Sequence, residues 1–590
     1  MDHSAFCRSI INSSFIILLG FFLIYPIFMT LSYNFFTESY DFFHANPLSL
    51  IYISTFYVTL GILLAICGLK RRFLLYAVLF FPLLFYVINY SKILFRDAYL
   101  HGRWAKIIAK DGTVDTLSDE SKAWPSSYIL MALSYIITGV DLLNLNTPLA
   151  LLIFSLLIMS CYCLAKRIQH DIIEGDNTEA RNKMYLIAPF LIIAFTRSHL
   201  YEPLHFARHQ FGLSLLLLLI FIFWRYQTER GWNNTLALLV IFTTLVTTHP
   251  LFSIYGVLTI IFSYIIDIIS SKIRKEKHKS SVFMPILAVV LFVGWLIYSA
   301  DFSLSKLPVL VSYALNPQTL SEISSLITFN VFEEIPWYGL IMRECYKLLL
   351  ITLGVLSILS LMHSETCKSP IFALLLTIIV IMSLQKSIGY IGGGIFNRVY
   401  TFLAVTFSFL VPRGLRNMFK MFEFLRLRKQ SVNIIRRISI AALISIALLS
   451  TNILTFEYNY YTNMLRLDST VCMSNFLMET NIDLNITTRN FGLYYVYFDP
   501  NANIILCPSL SASKDIKIKN DMIKAILSSN LFIISAHEYG EKLGFAPSLR
   551  ETRLFWQSIK KEIEQIPNTL KCYDNGLGDI YCLRRQLWST

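Results

Sequence analysis

Leu213–Trp224 reads LSLLLLLIFIFW, a run with no charge and a single hydroxyl. With its flanks it extends over 209–225. A helix rises about 1.5 Å per residue, so some 17 to 22 apolar residues cross about 30 Å of hydrocarbon. Strands of a membrane barrel would alternate apolar and polar residues instead. This run does not alternate, and neither do Phe15–Met29 and Phe73–Ile88. The run is therefore read as a membrane-spanning helix. Similar runs at 9–31, 50–68, 73–94, 147–165, 184–198, 234–248, 251–270, 282–299, 346–363, 369–385, 398–412 and 437–454 predict about 13 spans in all.

Composition agrees with that reading. Of 590 residues, 55% are hydrophobic and only 15% charged. A soluble domain carries about 25% charged residues. Mean hydropathy is +0.56. The net charge of +13 raises nucleic acid as a partner, but its distribution argues against one. Lys and Arg gather in short loops between apolar runs, as the positive-inside rule expects. Lys70-Arg71-Arg72, Lys166–Lys183, Arg225–Arg230, Ser271–Lys279 and Arg413–Arg437 fall on one side of a single alternation. That alternation predicts a multi-pass plasma-membrane protein with a cytoplasmic N-terminus and an extracytoplasmic C-terminus. The first run follows Arg8 with no small-residue cleavage site after it, so it reads as a retained span.

Trp124–Asp141 is apolar, yet the alternation has no place for another crossing. Its Trp, Tyr and Pro suit a helix lying along the interface. From about residue 456 charged residues rise and apolar runs shorten. Short strands are predicted at Leu493–Phe498, Ile504–Leu506 and Leu531–Ser535, between helical stretches near Lys517–Leu527 and Arg553–Gln565. Asn575-Gly576 predicts a hairpin turn. The fold class is thus an α-helical polytopic membrane protein, residues 1–455, followed by a small extracytoplasmic α/β domain, residues 456–590. Cys572 and Cys582 flank the turn almost symmetrically. Pairing centred on residue 577 would set them face to face, and an extracytoplasmic location would keep a disulfide oxidised.

The polar residues best suited to chemistry collect on the predicted outer side. Asp97 and His101 follow the third run and are four apart, so a helix puts them on one face. A carboxylate there suits a general base, although a solvated helix end has the same pattern. Glu202, His205 and His209 have the three- and four-residue spacing of a possible divalent-metal shell, with none of the stronger zinc motifs. Arg208 precedes an apolar run, where a guanidinium either grips a phosphate or snorkels. His249-Pro250 punctuates two spans. Gly392-Gly393-Gly394 runs ahead of Arg398, a spacing that suits close approach to phosphate or a plain turn. No Walker, Rossmann, HExxH or nucleophile-elbow motif is present.

The stretch Asp97–Gly139 carries Asp97-x-x-x-His101, then Ile107–Gly112, Trp124-Pro125 and Ile137-Thr138-Gly139. It resembles the first outer loop, residues 95–146 here, of GT-C glycosyltransferases. Glu202-Pro203 to Arg208 and Thr248-His249-Pro250 are also similar to that pattern. The resemblance extends over some 350 residues in layout, but only about 60 in motif. It implies transfer of a sugar from a polyprenyl-phosphate-linked donor to a glycan, lipid or protein acceptor at the outer face. Carried over, the base is Asp97, oriented with His101. Glu202, His205, Arg208, His249 and Arg398 would hold substrate and phosphate. Two departures stand out: two runs precede the one leading into the loop, and no Asp-x-Asp or Trp-Trp-Asp motif appears. A polysaccharide polymerase or ligase, and a non-enzymatic transporter or lipid flippase, are the competing readings. Charged residues at span ends weigh against a transporter with a mid-depth site.

Overall fold

The computed structural model describes residues 96–117, 119–170, 185–189, 191–192, 208–275, 281–299, 352–357, 369–387 and 392–424, residues 435 and 439, and five short strands beyond 485. The expected spans at 9–31, 50–68 and 73–94 and most of 437–454 lie outside them. So do the expected strand Leu493–Phe498 and the helical stretches of the tail.

Three described helices are long and apolar enough to cross a membrane, within α4 (Leu142–His170), α5 (Arg208–Thr228) and α7 (Pro250–Arg274). The chain is an integral membrane protein. Shorter apolar helices stand at α6 (Trp232–Thr248), α8 (Phe283–Tyr298) and within α9 (Ser369–Ser387). Each falls where an apolar run was read. Helix α10 runs Gly392–Phe424, well past both ends of the expected span 398–412. It absorbs into its first turn the three glycines, read in the sequence as suiting close approach to phosphate or a plain turn. It also carries Arg413–Phe424 as helix where a basic loop was expected. Arg413 is buried in that extension.

Side-chain contacts fix the directions of the helices. The Ser214 hydroxyl of α5 donates to the Ile153 carbonyl of α4 at 3.1 Å, and Arg167 of α4 donates to Thr228 of α5 at 2.9 Å. Both pairs advance together along the chain, so α4 and α5 run the same way. A return segment must lie between them. Residues 185–188, the start of the run read at 184–198, are buried, and Tyr185 meets Tyr162 edge-on at 5.5 Å between ring centroids. Helices α5 and α7 also run the same way. Gly212 abuts His249 and Phe252, Gly256 abuts Leu219, and the Gln227 amide donates to the Ser263 hydroxyl at 3.0 Å. Helix α6 runs back between them.

Several polar side chains inside the bundle bond to one another or to the backbone: the hydroxyls of Thr377 and Thr406 donate to the carbonyls of Ala373 and Phe402. Thr259 of α7 donates to Thr377 of α9 at 3.3 Å. Glycine sets the closest approach. A Cβ on Gly414 would stand 1.8 Å from the carbonyl oxygen of Leu356, so the backbone of α10 lies directly on residues 352–357.

Three short helices lie at one end of this bundle: α1 (Arg96–Asp111), α2 (Asp119–Ala123) and α3 (Ser126–Thr138). Their punctuation follows the sequence. Gly112 closes α1 at φ 70° and Gly139 closes α3 at φ 65°, left-handed positions that glycine takes without strain. Pro125 stands at the N-cap of α3. The Trp295 indole of α8 donates to the Ala123 carbonyl at 2.9 Å, and the hydroxyls of Ser126 and Thr247 share a hydrogen bond. The layer is thereby tied to the ends of α8 and α6. Leu133, Ile136, Ile137 and Val140 remain exposed on α3 and just beyond it.

Beyond residue 485, β1 (Ile486–Thr488), β2 (Ile504–Leu506), β3 (Leu531–Ser535), β4 (Thr569–Asp574) and β5 (Gly578–Leu583) form one mixed sheet, ordered β2-β1-β3-β5-β4. Strand β1 pairs in parallel with β2 and β3, and β5 is antiparallel to β3 and β4. Strands β4 and β5 pair in antiparallel fashion up to Asp574 and Asp579, and Asn575-Gly576 lies outside the described residues. The register of the pair differs from the symmetric one. Cys582 pairs with Leu570, and an irregularity between Lys571 and Tyr573 takes up Cys572. An extra residue on one strand of a pair is a bulge, and it shifts the register by one. Cys572 and Cys582 are therefore not direct partners across the hairpin.

Candidate functional site

The site is built where α5 and α7 begin and α6 and α8 end. His249 is the hinge between α6 and α7. The residue before a proline is pushed out of the helical region, and His249 takes φ −156° and ψ 124°. Its N–H still donates to the Leu245 carbonyl at 3.2 Å. The Ser253 hydroxyl donates to the carbonyls of both Leu245 and His249, at 3.0 and 2.7 Å. The backbone break is thus satisfied from within. The His249 ring is 2% exposed and lies 4.9 Å from the Phe252 ring.

Helix α5 meets this hinge with its first turns. On Gly212 a Cβ would stand 2.8 Å from Phe252 Cδ2 and 3.0 Å from His249 Cβ. Arg208 is one turn earlier, so it shares the His249-facing side of α5. Arg208 is half-buried, and its neighbours His209 and Gln210 are buried. Phe252 and Tyr255 pack on Phe402 of α10, with ring centroids 6.4 and 4.4 Å away. Arg398 stands one turn before Phe402, toward the start of α10.

The short-helix layer adds His101. It is 7% exposed, with its ring 5.2 Å from Tyr128 and 5.9 Å from Trp104. Trp104 meets Tyr128 edge-on at 4.9 Å. This aromatic set joins α1 to α3. Asp97 stands one turn before His101 on α1. Charges at the layer's rim are paired. Lys106 reaches Asp141 at 3.9 Å, and Lys122 reaches Asp115 at 2.8 Å. Burial lowers the Lys106 pKa, and Asp141 offsets part of that. Hydrogen bonds from Lys122 and Thr113 lower that of Asp115.

Of the residues singled out in the sequence, the structure brings Arg208 and His249 to one junction. It sets His101 in the layer tied to that junction. Glu202 and His205 lie outside the described residues, as do the side chains of Asp97 and Arg398. Among the described residues no group of three His, Cys, Asp or Glu side chains could hold a metal ion. Sequence reading passed over Ser127, Asn146 and Gln210, all buried at this end. The available signal was a neutral polar residue beside or within an apolar run, costly to bury unless it has a task.

No family model matches the chain, and no curated protein matches it either. Among solved structures the chain is similar to the crystal structure of ArnT from Cupriavidus metallidurans, which is bound to undecaprenyl phosphate. The match has a TM-score of 0.47 and 8% identity, and covers 86% of this chain and 98% of that one.

Proposed function

We propose that the chain is a membrane glycosyltransferase that takes its sugar from a polyprenyl-phosphate-linked donor at the outer face of the membrane. The observation that carries this reading is the junction itself. An arginine at the head of α5, a buried histidine at a helix break and an aromatic-lined layer gather at one end of an apolar bundle. Such an end offers a cation for a lipid phosphate beside hydrocarbon for its tail. The exposed face of α3 gives the prenyl chain an apolar surface to lie along.

In this reading Asp97 is the general base, taking the acceptor hydroxyl's proton as that oxygen attacks the anomeric carbon. His101 orients it. Arg208 and Arg398 stabilise the departing polyprenyl phosphate, whose charge develops as the glycosidic bond breaks. Glu202, His205 and His249 contribute to substrate binding, and Glu202 and His205 with His209 are the place to seek a divalent metal. The acceptor is a glycan, lipid or protein. The test is turnover of a panel of polyprenyl-phosphate hexoses and pentoses by the purified full chain. Asp97→Asn keeps the shape and removes the basicity, so turnover is expected to fall by about 10²–10⁴. Unchanged turnover would remove Asp97 from the role of base.

A further inference from the structure

The first turn of α5 has a second side, and it is uncharged. Ser214 donates to Ile153 of α4 and to the Gln210 carbonyl. Gln210, one turn earlier than Ser214, therefore shares the α4-facing side of α5. On α4 Asn146 stands one turn further toward the same end, two turns before Ile153 and so on the same face. Asn146 and Ile153 are buried, and Ile153 belongs to the apolar cluster that also contains Tyr128, Met131 and Ala150. Phe211, next to Gln210, packs against that cluster. Ser127 of α3 lies one turn before Met131 and faces the same way. Three neutral polar side chains from three helices thus edge one apolar cluster.

Two of them stand without partners. Gln210 is 1% exposed, and neither its amide nitrogen nor its amide oxygen has a hydrogen-bond partner among the described residues. Ser127 is 0% exposed, and its hydroxyl has none there either. Buried polar atoms are nearly always paired, because leaving one unpaired costs its full desolvation. An amide with both ends unpaired inside an apolar bundle is therefore suited to a ligand that brings both a donor and an acceptor. The lack of charge on this side excludes phosphate as the matched group. A vicinal diol fits: one hydroxyl donates to Oε1 while its neighbour accepts from Nε2.

We propose that Gln210, with Ser127 edging the same apolar cluster, forms a hydroxyl-recognising subsite for a sugar ring. It lies across the first turn of α5 from the phosphate-facing Arg208. This rests on the glycosyltransferase reading above and assigns its sugar contact. Helix side chains tilt toward the N-terminus, so Arg208 and Gln210 both lean over the head of α5. A sugar phosphate seated there meets a cation on one side and an amide on the other. Gln210 recognises the sugar and takes no part in bond making.

The test uses the purified full chain in detergent, with decaprenyl phosphate, decaprenyl phosphomannose, decaprenyl phosphoglucose and the two methyl hexosides as probes. Gln210→Met is nearly isosteric and removes both hydrogen-bonding ends. It is expected to raise the unfolding temperature of the free protein, because the unpaired amide is gone. It should leave decaprenyl phosphate binding unchanged. The extra affinity that a sugar confers on the lipid should fall by about 10- to 100-fold, as removal of two paired hydrogen bonds implies. Ser127→Ala should lower the same increment, and it serves alone if Gln210→Met does not fold. Loss on the lipid-linked sugars assigns the subsite to the donor. Loss confined to the methyl hexosides assigns it to an acceptor sugar. Unchanged sugar affinity in every variant that folds, or a lowered unfolding temperature in a Gln210→Met that does fold, overturns the subsite and leaves the glycosyltransferase reading standing. Failure of the unaltered chain to bind decaprenyl phosphate removes that reading, and the subsite with it.

Discussion

At the scale of single residues, burial decides which polar groups matter. Lys106 is the clearest titratable case. Its amine is half-buried in α1, and burial outweighs the help from Asp141. The folded-state pKa therefore lies below the ordinary lysine value, which the unfolded chain keeps. Between the two values the unfolded chain binds more protons, so stability rises with pH there. Thermal unfolding of the full chain is expected to move upward as pH rises toward the ordinary lysine value of about 10.4, and Lys106→Met should flatten part of that rise. An equal slope in the variant would place the titration elsewhere. His249 shows what sequence could and could not tell. The proline after it announced a break, and the break is there. Its burial against Phe252 depends on Gly212, some 37 positions earlier in the chain, and no local pattern announces that packing.

At the scale of elements, apolar length was enough to find the helices. Each described span falls on a run that was read, because the bilayer imposes both the length and the apolar character of a spanning helix. The ends were less legible. Gly392–Gly394 carry three poor helix formers, yet α10 starts there, and it ends well past Arg413. Packing overrides propensity at such ends. Gly414 shows how: its missing side chain lets α10 rest on the carbonyl of Leu356. Gly414→Ala is expected to destabilise the chain by about 1–3 kcal/mol, since backbone must move to admit the methyl. Gly294 in α8 has nothing within 4 Å of its Cβ position. Gly294→Ala is expected to stabilise by about 0.5–1 kcal/mol through backbone entropy alone. Detergent unfolding of the two variants side by side checks the contrast. The hairpin of β4 and β5 teaches the same lesson in a sheet. Asn575-Gly576 fell between the two strands, but the pairs Tyr573–Ile580 and Asp574–Asp579 already sit one off the expected register, and the irregularity at Cys572 adds another, so Cys582 faces Leu570. A bulge leaves no mark in the alternation of so short a strand.

At the scale of the whole molecule, charge alternation and side-chain packing bear on different questions. Packing shows that α5 and α7 begin at the end where the α1–α3 layer is tied down. On the charge alternation read from the sequence, that end is expected outside, and the residues from 456 onward with it. A cysteine placed at Ser513 is expected to react with a membrane-impermeant maleimide in intact cells. Reaction only after lysis would invert the orientation. The candidate site was half legible. Arg208 and His249 stood out as polar residues at span ends, whereas Gln210, Asn146 and Ser127 acquire meaning only when three helices meet.

The central claim is that a polyprenyl phosphate seats at the head of α5, beneath the α1–α3 layer. The direct measurement is photo-crosslinking of the purified full chain with a diazirine-bearing decaprenyl phosphate, followed by peptide mapping. The account predicts saturable labelling concentrated in α3 and the first turns of α5 and α7, competed by unlabelled decaprenyl phosphate and weakened by Arg208→Ala. Labelling spread along the outward faces of α8 and α9, without saturation and indifferent to Arg208→Ala, would contradict it.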